Sequence, residues 1–345
     1  MMHAIQRHQL RLLTGALLAP FAGAALGCIA EASASDESPG TYYVDGHEIF
    51  DPCGEKVVMR GVNHPTIFVD RAGAAMDEIA KTGANTVRIF WFATKDVPLS
   101  AAEDAVNAAV ANGMIPMIEL HDSTCKWDLE PIVEYWTRPE SVEFIRKHEA
   151  YLMVNIANEA SAPSSEAFRE EYLRIVKRMR DAGIHTPLVI DGSRCGRDYE
   201  VLFEHGTELL EADPDHNLIF SAHLYDALEP AALTAVLEES IDLELPFIVG
   251  EFTHRSPPGC GNMIEYRHLI EEAERLGLGW LAWSWGDNNP ESWWNSDCPQ
   301  FDMTRTFSFD SLEGWGKEVA VDHPASIVNT SVRPASIEAG GTCEE

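Results

Sequence analysis

Positive charge is scarce in this sequence. It has 25 Lys and Arg residues against 56 Asp and Glu residues, which gives a formal net charge of −31. Nucleic acids and anionic membrane surfaces would repel such a chain, so we expect neither as a partner. The excess of acidic residues instead indicates solubility in a salty or extracellular medium.

The sequence also lacks three patterns that would each indicate a different kind of protein. No glycine-rich phosphate loop follows the first predicted strand, which disfavours a doubly wound nucleotide-binding sheet. No His-x-His pair occurs, which disfavours a metal-dependent barrel hydrolase. The apolar run at residues 12–26 is too short, and too interrupted by glycine and proline, for a membrane-spanning helix.

Residues 1–27 are typical of an export signal, with basic residues before the apolar run and small residues after it. Two processing sites compete. Residues 25–28 resemble a bacterial lipobox, after which Cys28 would be lipidated, although the first position is Ala rather than Leu. Residues 32–34 would instead suit an ordinary signal peptidase cleaving after Ala34. We favour the lipoprotein, exported to the outer membrane or cell surface, with a secreted chain as the alternative.

Seven cysteines are present, and setting Cys28 aside leaves six. An even number in an exported chain predicts disulfides, and no two of these cysteines are close enough in sequence to suggest a metal site. The predicted loop positions suggest three pairs, which are Cys260–Cys298, Cys125–Cys195 and Cys53–Cys343.

Eight short apolar segments recur at intervals of about 30 residues, and a helical pattern follows each of them. They are residues 56–64, 86–91, 115–122, 151–159, 186–193, 217–225, 246–252 and 279–285. Eight strand–helix repeats in one domain predict an α/β fold, a (β/α)₈ TIM barrel over residues 35–320, with a doubly wound sheet as the alternative. Asp45–Gly46 predicts a short β-hairpin before the first barrel strand, and residues 321–345 are expected to form an irregular tail.

The predicted helices carry ordinary start and stop signals. Ser100 and Glu103 have the spacing of a capping box, and Gly113 follows the helix that they would open. Residues 165–182 predict an amphipathic helix that ends at Gly183.

Polar side chains cluster where the predicted strands end. Because the carboxyl ends of barrel strands form one face, these side chains should meet there. They are Asn63, His64, Arg88, His121, Asp122, Asn158, Glu159, His223, Tyr225, Glu251, Trp283 and Trp285. Each one alone has a structural explanation, such as an ion pair or barrel packing, but their convergence on one rim favours a functional site.

Two of these residues, Glu159 and Glu251, are carboxylates that follow buried strands, where a free charge is costly unless it is used. Cleavage of a glycosidic bond with retention needs two carboxyl groups about 5 Å apart, one as nucleophile and one as acid/base. Arg88 and the hydroxyl of Tyr225 are expected to keep Glu251 ionised as the nucleophile. Glu159, expected to lie farther from positive charge and among aromatic neighbours, is left as the proton donor.

Taken together, these segments resemble glycoside hydrolase family 5, the family of cellulases and β-mannanases, and within it the bacterial endo-β-1,4-mannanases. The similarity extends from Tyr42 to about Lys317. The motifs are MRGVNH at 59–64, NTVRI at 85–89, IELHD at 118–122, NIANE at 155–159, FSAHLY at 220–225, GEF at 250–252 and LAWSW at 281–285.

The resemblance implies Glu159 as acid/base and Glu251 as nucleophile, with no metal and no cofactor. It also implies that the remaining rim residues surround the cleaved bond, with one of the two tryptophans stacking on a sugar ring. These substrate-binding residues are Arg88, His121, Asn158, His223, Tyr225 and either Trp283 or Trp285. Asn158 would hydrogen-bond the sugar 2-hydroxyl.

Three segments depart from the pattern of the mannanase group. They are residues 123–127, residues 253–254, and residues 286–300, which contain Trp293, Trp294 and Cys298. All three would line substrate subsites, so they bear on the choice of polysaccharide rather than on the chemistry.

We therefore expect a monomeric, exported, retaining endo-β-1,4-glycanase that cleaves β-mannan or glucomannan. An endo-β-1,4-glucanase, or cellulase, on the same scaffold is the alternative. Two more distant alternatives are a non-catalytic protein that binds polysaccharide, and a metal-dependent hydrolase with ligands drawn from His64, His121, Asp122 and His223. Polysaccharide is the expected partner, and the only expected membrane contact is the lipid anchor at Cys28.

Overall fold

The structure is a computed structural model that describes residues 40–71, 73–95, 97–256, 261–286 and 301–343. The predicted export signal, the lipidation site Cys28 and the proposed Cys260–Cys298 pair lie outside these residues, as do Trp293 and Trp294. No helix within the described ranges is long and apolar enough to cross a membrane.

A small antiparallel sheet precedes the barrel. It consists of β1 (Tyr43–Asp45), β2 (Glu48–Phe50) and β3 (Lys56–Val57). The turn between β1 and β2 contains Gly46 at a φ of 57°, a conformation that glycine adopts without a steric penalty. The predicted hairpin is therefore confirmed.

The eight-stranded barrel is closed and parallel, and its strands follow one another in chain order. They are β4 (Arg60–His64), β5 (Thr86–Trp91), β6 (Ile115–Leu120), β7 (Met153–Asn155), β8 (Leu188–Asp191), β9 (Leu218–His223), β10 (Phe247–Glu251) and β11 (Gly279–Ala282). Every strand residue is buried, because helices cover the outside and side chains fill the inside. The predicted TIM barrel is confirmed.

Several strands are shorter than the sequence indicates. The first predicted segment, 56–64, divides into β3 of the small sheet and the barrel strand β4. The fourth, 151–159, retains only three strand residues, because the chain leaves the ladder before Glu159, whose φ is 53°. Apolar composition continues past the last paired residue, so it overestimates strand length.

Twelve α-helices are described, several of them a single turn. They are α1 (Thr66–Val69), α2 (Met76–Ala80), α3 (Leu99–Ala111), α4 (Glu130–Thr137), α5 (Pro139–Lys147), α6 (Ser165–Asp181), α7 (Glu200–Ala212), α8 (Pro230–Asp242), α9 (Tyr266–Leu276), α10 (Gly314–Lys317), α11 (Ile327–Thr330) and α12 (Ala335–Glu338). The longer ones connect successive barrel strands and form the outer layer.

The predicted capping box at the start of α3 is wrong. The helix begins at Leu99 and its N-cap position is Pro98, so Ser100 lies inside the first turn. Glu103 instead accepts hydrogen bonds from Lys147 and His148. The predicted stop signals are confirmed, since Gly113 and Gly183 both follow their helices with positive φ.

The C-terminal segment after Val321 is more ordered than expected. It contains α11 and α12, whose residues Ile327 and Ile337 are buried against the barrel. A disulfide between Cys53 and Cys343, with Cα atoms 5.4 Å apart, ties this segment to the loop between β2 and β3. The expectation of an irregular tail is corrected, because burying these apolar side chains stabilises helical turns there.

Candidate active site

The strand ends bring the rim residues predicted from the sequence to one end of the barrel. Arg88 belongs to β5, His223 ends β9 and Glu251 ends β10, while Glu159 follows β7. All four are connected by direct side-chain contacts, which are described below. This end is the face on which TIM-barrel enzymes carry their active sites.

Glu159 and Glu251 face each other across the barrel mouth. An oxygen of each carboxylate lies within 4.8 Å of the other, and a nitrogen of His223 lies within the same distance of both. Carboxyl groups about 5 Å apart suit a retaining mechanism, whereas inverting enzymes leave room between them for a water molecule.

Glu251 is buried and hydrogen-bonded through both of its carboxylate oxygens. Arg88 Nη1 donates to Oε1 at 2.6 Å, and the Tyr225 hydroxyl donates to Oε2 at 2.7 Å. Burial raises the pKa of Glu251 to about 7, although the positive charges of His223 and Arg88 oppose this shift. The two contacts expected around Glu251 are therefore present.

Arg88 holds several rim residues in place at once. Its Nε and Nη2 atoms donate to Asn155 Oδ1 at 2.9 and 2.7 Å, and Nη2 also donates to Asn158 Oδ1 at 2.6 Å. Nη1 reaches Asn63 Oδ1 at 3.1 Å in addition to Glu251. The side chain is buried, so its planar fork fixes the orientation of every partner.

The surroundings of Glu159 differ from our expectation. His223 Nδ1 lies 2.9 Å from Glu159 Oε1. Burial alone would lower the pKa of His223, but the carboxylates of Glu251, Asp191 and Glu159 outweigh it and raise this pKa to about 10. Glu159 thus lies beside a cationic imidazole rather than away from positive charge. Its side chain is nevertheless the more accessible of the pair, 13% exposed against 2% for Glu251.

Asp191, at the end of β8, is a site residue that the sequence analysis missed. It is buried, accepts a hydrogen bond from the backbone N–H of Glu159 at 3.1 Å, and lies 3.3 Å from Arg88 Nη2 and 3.5 Å from His223 Nε2. Burial alone would raise the pKa of Asp191, but the positive charges of His223 and Arg88 outweigh burial and lower this pKa to about 2. The same strand-end rule that selected the other rim residues would have found it.

A second buried carboxylate, Glu119 in β6, was also missed. Its Oε1 lies 2.8 Å from His121 Nδ1, and this contact raises the pKa of His121 although burial opposes the shift. The ring of His121 stacks on Phe90 at 4.8 Å between centroids. Phe90 in turn stacks on Trp283 at 4.9 Å, so these three rings form one aromatic cluster at the rim.

The two candidate tryptophans occupy different environments. Trp283 belongs to the aromatic cluster and is 6% exposed. Trp285 is completely buried, and its indole N–H donates to the carbonyl of Phe307 at 2.9 Å. The ring of Trp285 is therefore part of the packing beneath the rim.

Asn158 is held through both ends of its amide. Its Oδ1 accepts from Arg88, and its Nδ2 donates to Thr124 Oγ1 at 2.9 Å. This leaves one amide N–H for another acceptor, because Nδ2 carries two hydrogens.

The residues that a metal-dependent hydrolase would use have other contacts. His64 pairs with Asp70 at 3.1 Å, and Asp122 accepts a hydrogen bond from the backbone N–H of Ala93. In the described part of the chain, Glu159, His223 and Glu251 form a cluster compact enough for a cation. These side chains are nevertheless poor ligands for a metal cation. The cationic imidazole of His223 has no free lone pair, and Arg88 already neutralises the charge of Glu251.

A second disulfide lies beside this site. It joins Cys125, in the loop after β6, to Cys195, in the loop after β8, with Cα atoms 4.5 Å apart. Two of the three cysteine pairs suggested by the sequence, this one and Cys53–Cys343, are thus confirmed.

Comparisons with known proteins agree with the fold and the site. Residues 50–289 match the family model described as cellulase (glycosyl hydrolase family 5). A mannan endo-1,4-beta-mannosidase of Salipaludibacillus agaradhaerens is 30% identical over 309 residues, which cover 86% of this chain and 95% of that protein. The enzyme of the same name from Cellvibrio japonicus is 29% identical over 315 residues, covering 87% of this chain and 70% of that protein.

Among solved structures, a beta-mannanase from Thermomonospora fusca has a TM-score of 0.78 and 28% sequence identity, and the match covers 86% of this chain and 99% of that chain. The same enzyme has been solved as a mannohexaose complex, with a TM-score of 0.77 and the same coverage of both chains. The family match spans all eight barrel strands and more than half of the chain, and both curated relatives are glycoside hydrolases. This chain therefore belongs to the cellulase family, glycosyl hydrolase family 5.

Proposed function

We propose that this glycoside hydrolase is a retaining endo-β-1,4-mannanase that cleaves β-mannan or glucomannan by double displacement. The observation that carries the mechanism is the separation of at most 4.8 Å between oxygens of Glu159 and Glu251. The relatives support the substrate, since they are named for the hydrolysis of mannan.

In the first step, Glu251 is the nucleophile and Glu159 the general acid. A carboxylate oxygen of Glu251 forms a bond to the anomeric carbon while the bond from that carbon to the glycosidic oxygen breaks. Glu159 gives its proton to the departing oxygen, and a covalent glycosyl-enzyme remains. In the second step Glu159 takes a proton from a water molecule, which attacks the anomeric carbon and releases Glu251.

The hydrogen bonds favour this division of roles. Both oxygens of Glu251 accept from strong donors, so a proton on this group would displace Arg88 or Tyr225. Glu159 uses only Oε1 for His223, and its other oxygen can carry the proton. Two carboxyl groups this close share their titration, so the pKa of about 7 describes the last proton of the pair.

Covalent bonding changes the charge that Glu159 faces. When Glu251 becomes an ester it loses its negative charge, and a proton on Glu159 is then easier to release because a nearby anion no longer holds it. His223, whose imidazole is cationic beside both carboxylates in the free enzyme, favours release of this proton in the same way. Glu159 can therefore act as an acid in the first step and as a base in the second.

The substrate contacts follow from the same geometry. We propose that the free amide N–H of Asn158 donates to the 2-hydroxyl of the sugar at the cleaved bond. Trp283 is our choice for the stacking residue, because the Trp285 ring is completely buried. His121 lies against the same aromatic cluster and would contact the sugar from that side.

Replacing the nucleophile tests the mechanism. Glu251→Gln should abolish turnover of galactomannan while circular dichroism shows the fold unchanged. Glu211→Gln, at an exposed position on α7, is the matched control and should keep full activity. Wild-type turnover by Glu251→Gln would refute the assignment of the nucleophile.

The choice of polysaccharide needs a separate test. Initial rates on galactomannan, glucomannan and carboxymethylcellulose distinguish a mannanase from the alternative, an endo-β-1,4-glucanase. We expect the two mannose-containing polymers to be cleaved faster. Faster cleavage of the cellulose derivative would favour the glucanase.

We also propose that the chain is an exported monomer, and that a lipid at Cys28 is its only membrane contact. The two disulfides support an oxidising compartment. Mass spectrometry of the mature N-terminus tests the anchor, since a diacylglycerol adduct on Cys28 is expected. A mature chain that begins at Ser35 would show cleavage after Ala34 instead.

A further inference from the structure

The short segment that carries Glu159, residues 158–162, lies between two loops. The β6 loop, residues 121–126, holds it from one side through four hydrogen bonds, one of which is the Asn158–Thr124 contact described above. Ser123 Oγ donates to the carbonyl of Asn158 at 2.7 Å, and the Cys125 N–H donates to the carbonyl of Glu159 at 3.0 Å. The N–H of Ser161 donates to the carbonyl of Lys126 at 2.8 Å.

The β8 loop, residues 192–196, and Asp191 before it hold the segment from the other side. Asp191 accepts from the N–H of Glu159 at 3.1 Å, and Ser193 Oγ accepts from the N–H of Ala162 at 2.9 Å. The N–H of Cys195 donates to Ser161 Oγ at 2.9 Å. Both main-chain polar groups of Glu159 are thus bound, one by each side.

The Cys125–Cys195 disulfide joins the two loops across this segment. Its cysteines are also the residues whose N–H groups contact Glu159 and Ser161. Cys125 is exposed and Cys195 is half-buried, so the disulfide lies at the surface of the protein rather than in its core. We therefore expect an effect of the bond on activity to pass through the position of the loops.

The backbone around Glu159 needs such support. Glu159 has a φ of 53°, and Cys125, Arg194 and Cys195 have φ values of 56°, 50° and 60°. These are four of the seven non-glycine residues with positive φ in the described ranges. L-residues adopt this conformation at a cost and keep it when the surrounding structure holds them there.

The β8 loop also positions the imidazole beside Glu159. The carbonyl of Gly196 accepts a hydrogen bond from the backbone N–H of His223 at 2.9 Å. A Cβ at position 196 would lie only 2.5 Å from His223 Nδ1, the atom that contacts Glu159, so the loop backbone packs directly on this ring. A shift of the β8 loop would move His223 as well.

We propose that the Cys125–Cys195 disulfide positions Glu159 for proton transfer, acting through the hydrogen bonds of the β6 and β8 loops. This inference rests on the proposed role of Glu159 as general acid. It assigns to the disulfide a catalytic effect that is separate from its effect on stability. Cys125 and Cys195 are positioning residues, since neither touches the reacting atoms.

A substrate pair with different leaving groups tests the proposal. Cleavage of mannohexaose needs a proton on the departing sugar oxygen, whereas a 2,4-dinitrophenyl β-mannobioside releases a stable phenolate that needs none. In Cys125→Ser/Cys195→Ser, kcat/KM for mannohexaose should fall about 10- to 100-fold, because small misplacements of a catalytic group cost this much. The value for the dinitrophenyl substrate should stay within about twofold of the wild type.

Cys53→Ser/Cys343→Ser is the matched control within the same chain. It removes a disulfide of sequence separation 290, against 70 for Cys125–Cys195, so it should lower the unfolding temperature more. Its kcat/KM should nevertheless stay at the wild-type value for both substrates. Equal losses on both substrates in Cys125→Ser/Cys195→Ser would show a purely structural role and overturn the proposal, as would no loss at all.

Glu159→Ala separates this inference from the proposed function. If Glu159 is the general acid, this variant loses kcat/KM on mannohexaose and keeps it on the dinitrophenyl substrate. A Glu159→Ala variant without that difference would refute the role of Glu159 itself. If Glu159→Ala shows the difference and the variant without the Cys125–Cys195 disulfide does not, the positioning role alone is wrong.

Discussion

The roles proposed for Glu159 and Glu251 depend on a few neighbouring side chains, and Arg88 makes many of the contacts among them. It bonds Glu251, Asn63, Asn155 and Asn158 from a completely buried position. A lysine carries one compact ammonium group in place of the five fixed donors of the guanidinium, so it cannot satisfy all these acceptors.

We predict that Arg88→Lys lowers kcat/KM on galactomannan at least about 100-fold, equivalent to roughly 2.7 kcal/mol of transition-state stabilisation. The exposed Arg174→Lys on α6 is the control and should change kcat/KM little. Steady-state kinetics on folded protein measures both. A folded Arg88→Lys enzyme with wild-type kcat/KM would contradict the network described here.

The pH dependence follows from the shared proton of the carboxyl pair. In the proposed mechanism the active form carries one proton on the Glu159–Glu251 pair. Burial raises the pKa of Glu251 in this pair to about 7, so we expect activity to be retained below this value and lost above it. We predict that kcat/KM on mannohexaose falls about tenfold per pH unit on the alkaline side.

His223 should control where that fall begins. Its positive charge lowers the pKa of Glu251, so replacing it by glutamine should move the midpoint to higher pH. A pH profile of kcat/KM for both proteins measures the shift. An unchanged midpoint in His223→Gln would show that the imidazole is not a source of positive charge for the pair.

Sequence reasoning was strongest for individual rim residues and weakest for their charge states. The strand-end rule located Arg88, Glu159 and Glu251 because barrel geometry fixes which ends meet. The charge of His223 was missed, since it depends on three carboxylates that come together only in the folded chain. Glu119 could have been recognised from the sequence, because a carboxylate inside an apolar strand is unusual. Its partner His121 had been interpreted as a substrate-binding residue, so the ion pair between them was not expected.

At the scale of single strands, close approach between neighbours leaves little room for side chains. Gly250 in β10 lies against Ser221 in β9, and a Cβ on Gly250 would lie 2.1 Å from Ser221 Oγ and 3.3 Å from the His223 ring. Any larger residue at position 250 must displace one of these groups.

We predict that Gly250→Ala lowers the free energy of unfolding by about 1–3 kcal/mol and reduces kcat through displacement of His223. Adding Ser221→Ala removes the clashing oxygen and should restore most of the stability. Urea denaturation of the two single variants and the double variant gives the coupling free energy. Additive effects would mean that the two side chains do not meet.

The helices and strands show where sequence patterns stop being informative. Apolar alternation and glycine stop signals located the hairpin, the eight strands and the ends of α3 and α6. The β6 and β8 loops could not be described in advance, because three of their left-handed residues, Cys125, Arg194 and Cys195, are not glycine. Hydrogen bonds to residues distant in sequence hold these residues in their conformation, and such contacts cannot be predicted from a local sequence pattern.

At the scale of the whole molecule, contacts between the first and the last described segments close the base of the barrel. Cys343 is bonded to Cys53, the N–H of Ala335 donates to Glu55, and Arg333 donates to the carbonyls of Ala80 and Ala84. The predicted loop positions were sufficient to suggest the pairing of Cys53 with Cys343. The two helical turns of the C-terminal segment were not expected.

We predict that Cys53→Ser/Cys343→Ser lowers the free energy of unfolding by about 2–5 kcal/mol, since the disulfide closes most of the chain into one loop. Thermal unfolding without reductant measures the change. A loss below about 0.5 kcal/mol would indicate that the noncovalent contacts of the tail already close the base.

The small sheet and the C-terminal helices share the end of the barrel where the strands begin. Asn217, just before β9, donates to the carbonyl of Tyr42, and Thr330 accepts a hydrogen bond from Arg60 at the start of β4. The described chain thus both starts and finishes on the side remote from Glu159 and Glu251. A long polymer can therefore approach the open mouth without meeting the first or the last described residues of the chain.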